Sequence, residues 1–274
     1  MELAVRLASF LGAFAVMALW EVVRPRRVPS RPRLERWTTN LGLILLNAVV
    51  VRATVGAAVY TAAVFAAQRE IGILHWAGAP AWLAAAATLL ALDFAVYMQH
   101  VLFHAVPVLW RLHQVHHADL GFDATTGLRF HPFEIFLSLG IKAAVVVLIG
   151  AHPWAAVAFE ALLNASSVFN HGNVGIPERV DRGLRWLIVT PDMHRIHHST
   201  RVAEANSNFG FSVSWWDRLC GTYRTEPARG QLGMEIGLTD YRDPAALSLP
   251  QLLVMPLFHN AARYTFQGSR SAGA

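Results

Sequence analysis

Three long apolar runs set the strongest limit on how this chain can fold. They cover residues 3–23, 40–67 and 81–99. About 20 helical residues cross a bilayer core of about 30 Å, so each of these runs can span a membrane. Hydrophobic residues make up 54% of the 274 residues, charged residues only 15%, and the mean hydropathy is +0.37. This composition excludes an ordinary soluble enzyme, a disordered chain and a collagen-like chain.

Two shorter apolar segments, residues 135–150 and 154–170, predict a helical hairpin. The sequence Ala151-His152-Pro153 makes a tight break between them. The hairpin either crosses the membrane fully or is partly re-entrant. Residues 245–258 contain prolines and predict a short helix lying at the membrane surface. We therefore expect an all-α membrane protein with four to five transmembrane or re-entrant helices and a cytoplasmic helical cap that carries a histidine-rich site for two metals.

The placement of arginines predicts the sidedness of the chain. Six arginines fall within residues 24–36, directly after the first apolar run. The positive-inside rule puts such a loop in the cytoplasm and the N-terminus outside. Because the basic residues follow the run, we expect a retained anchor and not a cleaved signal peptide. Counting the crossings from there puts both hairpin ends and the polar C-terminal hundred residues on the cytoplasmic side of a cytoplasmic (inner) membrane.

Eight of the 13 histidines lie in three dense groups. Residues 100–104 read HVLFH, residues 113–117 read HQVHH and residues 194–198 read HRIHH. Spacings of three and four residues put imidazoles on one helix face, where they can share a metal ion. One tetrahedral zinc uses four ligands, so eight histidines predict two metals. The candidate ligands are His100, His104, His113, His116, His117, His194, His197 and His198.

Four further residues are candidates for the same site because of their position around the hairpin. His131 precedes the hairpin and His171 follows it, at the depth of the histidine groups, so both are candidate ligands. Glu160 and Asn164 precede His171 at helical spacing and form a polar stripe that is a candidate for contacts around the metals. Ionisable groups inside a span are costly and usually face a cavity or a partner.

Two more ionisable residues lie within apolar segments. Asp93 stands two helical turns before His100, and we expect its carboxylate to accept the free N–H of a ligating imidazole. The alternative for Asp93 is a buried polar group bound to neighbouring helices. Lys142, in the middle of the predicted hairpin, has no assigned role.

The residues alone leave other protein classes open. A lone histidine such as His75 or His152 usually makes ordinary hydrogen bonds. A histidine-rich metal transporter would need a polar path across the whole bilayer, whereas these groups lie on one side. A zinc hydrolase would need a catalytic glutamate as in H-E-x-x-H, which is absent. A catalytically inactive scaffold is opposed by three intact histidine groups. The single cysteine, Cys220, excludes an internal disulfide and a thiolate-rich site.

At these histidines the sequence resembles the fatty acid hydroxylase superfamily, which includes sterol desaturases, sterol methyl oxidases and alkylglycerol monooxygenase. The resemblance runs from Asp93 to Tyr223 through DFAVYMQHVLFH, PVLWRLHQVHHAD, TTGLRFHPFE, FNHGN, TPDMHRIHHS and SWWDRLCGTY. It implies two iron ions held by the eight clustered histidines, with His171 and His131 also matching family histidines. Met98 and Val101 stand where the family often has an aromatic residue and an arginine, which leaves the substrate subgroup open.

The resemblance also implies what the protein does. We expect a membrane-bound, oxygen-dependent hydroxylase or desaturase that uses O2 as cosubstrate and acts on a lipid or sterol-like substrate. Zinc can replace iron in a recombinant preparation. Electrons must come from a separate ferredoxin- or cytochrome-type donor with its reductase, because the chain has too few cysteines for an iron–sulfur cluster. No nucleic-acid motif is present. Four arginines are candidates either for docking an acidic redox partner or for a solvated or lipid-facing role: Arg111, Arg195, Arg201 and Arg218.

These inferences divide the chain into three regions. They are residues 1–80 with the N-terminal transmembrane helices and the arginine-rich loop, residues 81–230 with the fatty acid hydroxylase-like catalytic domain, and residues 231–274 with the C-terminal interfacial segment and tail.

Overall fold

The computed structural model describes residues 2–29, 31–258 and 265–266, and this part of the chain contains helices and no β-strand. The α-helices are α1 Glu2–Val23, α2 Arg33–Thr54, α3 Ala58–Gln68, α4 Ile73–Trp76, α5 Ala81–Ala105, α6 Pro107–His117, α7 Pro132–Ile149, α8 Pro153–Asn170, α9 Glu178–Leu184, α10 Pro191–His197, α11 Val202–Ala205, α12 Trp215–Leu219, α13 Gly230–Gly233 and α14 Leu249–Phe258. Two 3₁₀ helices span Thr126–Leu128 and Pro244–Leu247. The expected all-α fold is confirmed.

Long apolar helices dominate the first half of the chain. Four stretches are long and apolar enough to cross a membrane: Glu2–Val23, Arg33–Trp76, Ala81–Ala105 and Pro132–Ile149. Their outer faces carry bare apolar side chains, as at Leu19, which is 65% exposed. Such surfaces are stable in lipid and unfavourable in water. The predicted spans 3–23 and 81–99 are both found, and the protein is an integral membrane protein.

The second predicted span, residues 40–67, is a broken helix and not a continuous one. Gly56 lies between α2 and α3 with a φ of +58°, a conformation that a side chain with Cβ rarely adopts. α2 begins at the histidine-bearing end of the molecule, where Arg36 binds the loop after α6. The chain after α3 reaches the opposite end, where the backbone of Gly72 closely approaches Gly150 in the α7–α8 turn. The two helices together are long and apolar enough for one crossing.

The hairpin predicted at residues 135–170 is formed by α7 and α8. Gly150 ends α7 with a φ of +71°. His152 begins α8 by accepting a hydrogen bond from the backbone N–H of Trp154, an ordinary role for a lone histidine. A proline opens each helix, where its missing N–H costs no intrahelical bond. α7 therefore leads away from the histidine groups and α8 returns to them.

The apolar segment predicted at residues 245–258 forms a 3₁₀ turn and α14. Leu252 and Met255 of α14 are buried against α2 and α6, so this helix packs on the cap. Phe258 at its end is 82% exposed. A position at the membrane surface remains a prediction for α14. The rest of the predicted tail, apart from residues 265–266, lies outside the described residues.

Candidate metal centre

Nine buried histidines from separate parts of the chain converge on the side of the molecule where α5 and α8 end. None is more than 6% exposed. They form two groups, and within each group one ring nitrogen of every member lies within 4.8 Å of those of the others. The first group contains His100, His104, His113, His117 and His197, and the second contains His116, His171, His194 and His198. Each group could hold one metal ion.

Backbone carbonyls fix the tautomer of two histidines in the first group. Nδ1 of His100 donates to the carbonyl of Phe209 and Nδ1 of His197 donates to that of Ser207, both at 2.9 Å. A carbonyl only accepts, so both Nδ1 atoms carry the proton and both Nε2 atoms keep a lone pair. These Nε2 atoms are buried and have no hydrogen-bond partner among the described residues. Buried lone pairs aimed into a shared space are the arrangement that a metal ion requires.

Side chains orient two more histidines of the first group. Nδ1 of His113 lies 2.7 Å from Oε1 of Glu134, which leaves the Nε2 of His113 facing the group. Nδ1 of His104 lies 3.1 Å from Oδ1 of Asn206. The Nε2 atom of His104 lies 3.2 Å from that of His117. The side of each ring away from the metal is thus hydrogen-bonded.

The second group is built around His171. Its Nδ1 donates to the carbonyl of Ser167 at 2.7 Å, and its Nε2 lies 3.1 Å from Nε2 of His116 and 3.0 Å from Nε2 of His194. Two nitrogens bound at right angles to one ion, each about 2.1 Å away, are about 3.0 Å apart. Both nitrogens of His198 are buried without a hydrogen-bond partner among the described residues. The spacing and the unpaired nitrogens fit a metal ion.

Burial keeps these imidazoles neutral. It lowers the pKa of His113 to about 3 and the pKa of His171 to about 4. The pKa of His194 falls well below its ordinary value for the same reason. The neutral imidazole is the form that binds a metal ion. The set contains only nitrogen donors, which suits iron, zinc, copper or nickel.

The structure does not bring His131 into either group. Its Nδ1 accepts from the backbone N–H of Phe133 and caps α7, and its Nε2 lies 3.1 Å from the carbonyl of Leu253 on α14. Both ring nitrogens are thereby used in structural hydrogen bonds. The position just before the hairpin sets the depth of His131 but not the direction of its ring.

Asp93 does not hydrogen-bond to an imidazole of the described chain. Its carboxylate accepts from the backbone N–H groups of Ser212 and Val213 and from the indole N–H of Trp216. The physical reason is distance, since seven helical residues separate it from His100 by about 10 Å along α5. Asp93 instead holds the segment that follows the carbonyl bound by His100.

Glu160 and Asn164 lie on the hairpin but outside both histidine groups. Glu160 forms ion pairs with Arg6 of α1 at 3.3 Å and with Lys142 of α7 at 3.8 Å. Asn164 lines the cavity described below. Lys142, which the sequence left without a role, is thus paired with Glu160 inside the helical bundle.

Sequence reasoning missed the groups that orient the rings. Glu134 stands inside the motif TTGLRFHPFE, three residues after His131, but was not singled out. The segment containing Asn206, Ser207 and Phe209 carries no metal-ligand pattern, because two of its three contacts are made by backbone carbonyls. Of these contacts, only that of Glu134 could have been predicted from the sequence, because this carboxylate stands inside a histidine motif.

A buried charge network supports the loop that follows the histidines of α6. Arg36 of α2 binds Asp119 and Asp123 at 2.8 and 2.6 Å, and Asn40 also donates to Asp119. Burial raises the pKa of Asp119, but the charge of Arg36 outweighs this effect and holds the pKa below its ordinary value. The network ties the start of α2 to the residues directly after His117.

The candidate docking arginines differ in their surroundings. Arg195 is fully buried, binds Asp192 and lies over the ring of Phe122. Arg111 and Arg201 are exposed on the histidine-bearing side. Arg195 therefore cannot contact a partner protein, and docking of a donor at the exposed arginines stays a prediction.

A cavity of about 250 Å³ joins the metal centre to the membrane helices. Histidines of both groups, among them His100 and His116, line one part of it. Apolar side chains of α1, α2, α5, α7 and α8 line much of the rest, including Phe10 of α1 and Leu163 of α8. The cavity can thus hold an apolar chain next to the histidines, as binding sites for apolar ligands generally do.

Comparison with known proteins identifies the family of this chain. The fatty acid hydroxylase family matches residues 85–222, which is half of the chain. Similar proteins include ornithine lipid hydroxylase OlsE of Rhizobium tropici, 27% identical over 84% of this chain and 70% of the relative. Human cholesterol 25-hydroxylase is 31% identical over 58% of this chain and 63% of the relative. Alkylglycerol monooxygenase of Xenopus tropicalis is 26% identical over 54% of this chain and 32% of the relative. No solved structure matches the chain.

The match to the family and the structure of the site agree on the same residues. All nine converging histidines fall within the matched residues 85–222. The relatives are hydroxylases and monooxygenases, which are oxidoreductases. The chain belongs to the fatty acid hydroxylase family of membrane-bound oxidoreductases.

Proposed function

We propose that this protein is a di-iron, O2-dependent hydroxylase or desaturase that acts on a lipid or sterol-like substrate. The observation that carries the proposal is the shared cavity, in which histidines of both groups line the same space as apolar side chains of the spanning helices. A lipid substrate is supported by the names of three relatives, which refer to an ornithine lipid, to cholesterol and to alkylglycerol.

Nine histidines are the proposed ligands, divided into the two groups described above. Two bound iron ions would supply the activation of dioxygen that attack on an unactivated C–H bond needs. Hydroxylation places one oxygen atom in the substrate and reduces the other to water, which consumes two electrons and two protons. A separate ferredoxin- or cytochrome-type donor with its reductase is the proposed source of the electrons.

The residues of the chain itself bind and orient the reactants. The apolar cavity wall excludes water and aligns the lipid chain beside His100 and His116. Glu134 and the carbonyls of Ser207 and Phe209 hold the ring protons on Nδ1 and keep Nε2 free for the metal.

We place the metal centre on the cytoplasmic side of an inner membrane. The arginine-rich loop after α1 lies at the histidine-bearing end, since Arg26 binds Asp192 of α10 at 2.9 Å. The positive-inside rule assigns such a loop to the cytoplasm. A reduced donor protein in the cytoplasm would then reach the cap directly.

Metal content per chain tests the proposal. The protein is purified in detergent from iron-supplemented cells, beside the double variant His197→Ala, His198→Ala, which removes one ligand from each group. His152→Ala is the matched control because His152 caps α8 far from both groups. We expect close to two metals in wild type and control and a sharp loss in the double variant.

Lipid extracts of the expressing cells provide the second readout. Mass spectrometry should find lipids that gained one oxygen atom or lost two hydrogens with wild type and with His152→Ala, but not with the double variant. One metal or none per wild-type chain, unchanged by the double substitution, would remove the basis for oxygen chemistry.

A further inference from the structure

Three polar side chains face the metal-bearing cavity from the middle of the membrane hairpin. Ser138 and Lys142 stand one turn apart on the same face of α7, and Asn164 faces them from α8. All three line the cavity whose other part is formed by the histidines. Between them they offer several N–H and O–H donors to the interior.

Within the described residues these donors have few partners. Ser138 and Asn164 are partly buried, and neither side chain makes a hydrogen bond there. Lys142 is 7% exposed, and its single ion pair, to Glu160, is 3.8 Å long. Polar groups in an apolar interior are costly unless they are hydrogen-bonded. A ligand that supplies acceptor oxygens would meet this need.

Lys142 belongs to a group of two cationic and two anionic side chains inside the helical bundle. Glu160 also binds Arg6 of α1 at 3.3 Å, and Arg6 lies 3.5 Å from Glu2. Glu160 therefore keeps a cationic partner if Lys142 is replaced. The Lys142 side chain also lines the cavity that the histidines share, so it can contact a molecule bound there.

We propose that Lys142, with Ser138 and Asn164, binds the polar end of the substrate, and that this end carries an acceptor oxygen on an acyl chain, either a carboxylate or an ester carbonyl. The inference rests on the proposed function and specifies its substrate class. Lys142 follows Glu134 by eight residues, or about 12 Å along α7. Because Glu134 binds His113, this spacing separates the polar group of the lipid from the metal end of the cavity.

Binding of matched twelve-carbon probes to the iron-loaded protein tests the inference. Titration calorimetry in detergent, with empty micelles as reference, compares dodecanoate, methyl dodecanoate and dodecane. Tighter binding of dodecanoate would indicate a substrate with a free carboxylate. Equal or tighter binding of the methyl ester would indicate the ester carbonyl of a larger acyl lipid. We expect an oxygen-bearing probe to bind at least about tenfold more tightly than dodecane, because hydrogen bonds to charged groups have that strength.

Substitutions then assign the preference to Lys142. Lys142→Met should abolish it and Lys142→Arg should retain most of it. Glu160→Gln is the matched control, since it removes the same ion pair but leaves the ammonium group at the cavity. If Lys142→Met fails to retain its metals, Asn164→Leu replaces it, with a smaller loss of the preference expected.

The outcomes separate this inference from the proposed function. The role of Lys142 would be overturned if the Lys142→Met variant still bound an oxygen-bearing probe more tightly than dodecane. It would also be overturned if Glu160→Gln abolished that difference to the same extent as Lys142→Met. A wild-type protein that holds two irons and modifies lipids, but binds all three probes alike, would overturn the inference and leave the function standing. If the wild-type protein prefers the oxygen-bearing probes but retains no iron and forms no modified lipid, the proposed function would be overturned instead.

Discussion

Oε1 of Glu134 lies 2.7 Å from Nδ1 of His113, so the first turn of the membrane helix α7 orients a ring on the cap helix α6. The two residues are 21 positions apart, and both side chains are 3% exposed. A carboxylate behind an imidazole makes the ring a better metal ligand and fixes its direction. The contact also places the metal centre directly at the membrane end of the cap.

Replacing Glu134 should weaken metal binding without removing a ligand. Glu134→Ala is expected to lower the affinity of the first group about 10- to 100-fold, and Glu134→Gln by less, because the amide still accepts a hydrogen bond. Iron retention during titration with a chelator measures the effect. Glu178→Gln, at an exposed position on α9, is the control. Equal retention in wild type and Glu134→Ala would contradict this role.

Single-ligand substitutions should distinguish the two groups. His117→Ala removes a proposed ligand from the first group and His194→Ala one from the second. Each variant is expected to lose about one of two metals per chain, since the rings of the other group keep their own contacts. Metal analysis of the purified variants gives the count. Loss of both metals from each variant would mean that the ions share ligands and bind as one unit.

Gly127 should not tolerate a side chain. A Cβ at this position would lie 2.5 Å from the carbonyl of Ser167 and 2.9 Å from Nδ1 of His171, the two atoms whose hydrogen bond orients His171. Gly127→Ala should therefore reduce metal in the second group, with an overpacking cost of about 1–3 kcal/mol. Gly140→Ala on α7 is the control, because no atom lies within 4 Å of its Cβ. Metal content and thermal unfolding temperature should change in Gly127→Ala and stay at the wild-type values in Gly140→Ala.

The buried network around Arg36 should matter for stability more than surface ion pairs do. Arg36→Met leaves Asp119 and Asp123 buried without their main cationic partner, which is expected to cost about 3–5 kcal/mol. Arg31→Met breaks the more exposed pair with Glu35 and should cost less than about 1 kcal/mol. Loss of helical circular dichroism during guanidinium titration in detergent compares them. Similar midpoints for both variants would contradict the prediction.

Local sequence patterns were enough to predict most of the helices and most of the histidines that converge. Apolar runs of about 20 residues predict spans because backbone groups in lipid must be hydrogen-bonded within a helix. The break before Pro153 predicted the hairpin correctly. The break at Gly56 was missed, because a single glycine within an apolar run does not reveal the conformation that it adopts.

The sequence by itself determined which histidines can act together, since a spacing of three or four residues on a helix puts rings on one face whatever the surroundings. Only the tertiary structure decided the direction of each ring. His171 and His131 looked equivalent in the sequence, yet His171 faces two other imidazoles while His131 caps α7. The orientation depends on carbonyls and a carboxylate brought from distant segments, and such long-range contacts are not written in any local pattern.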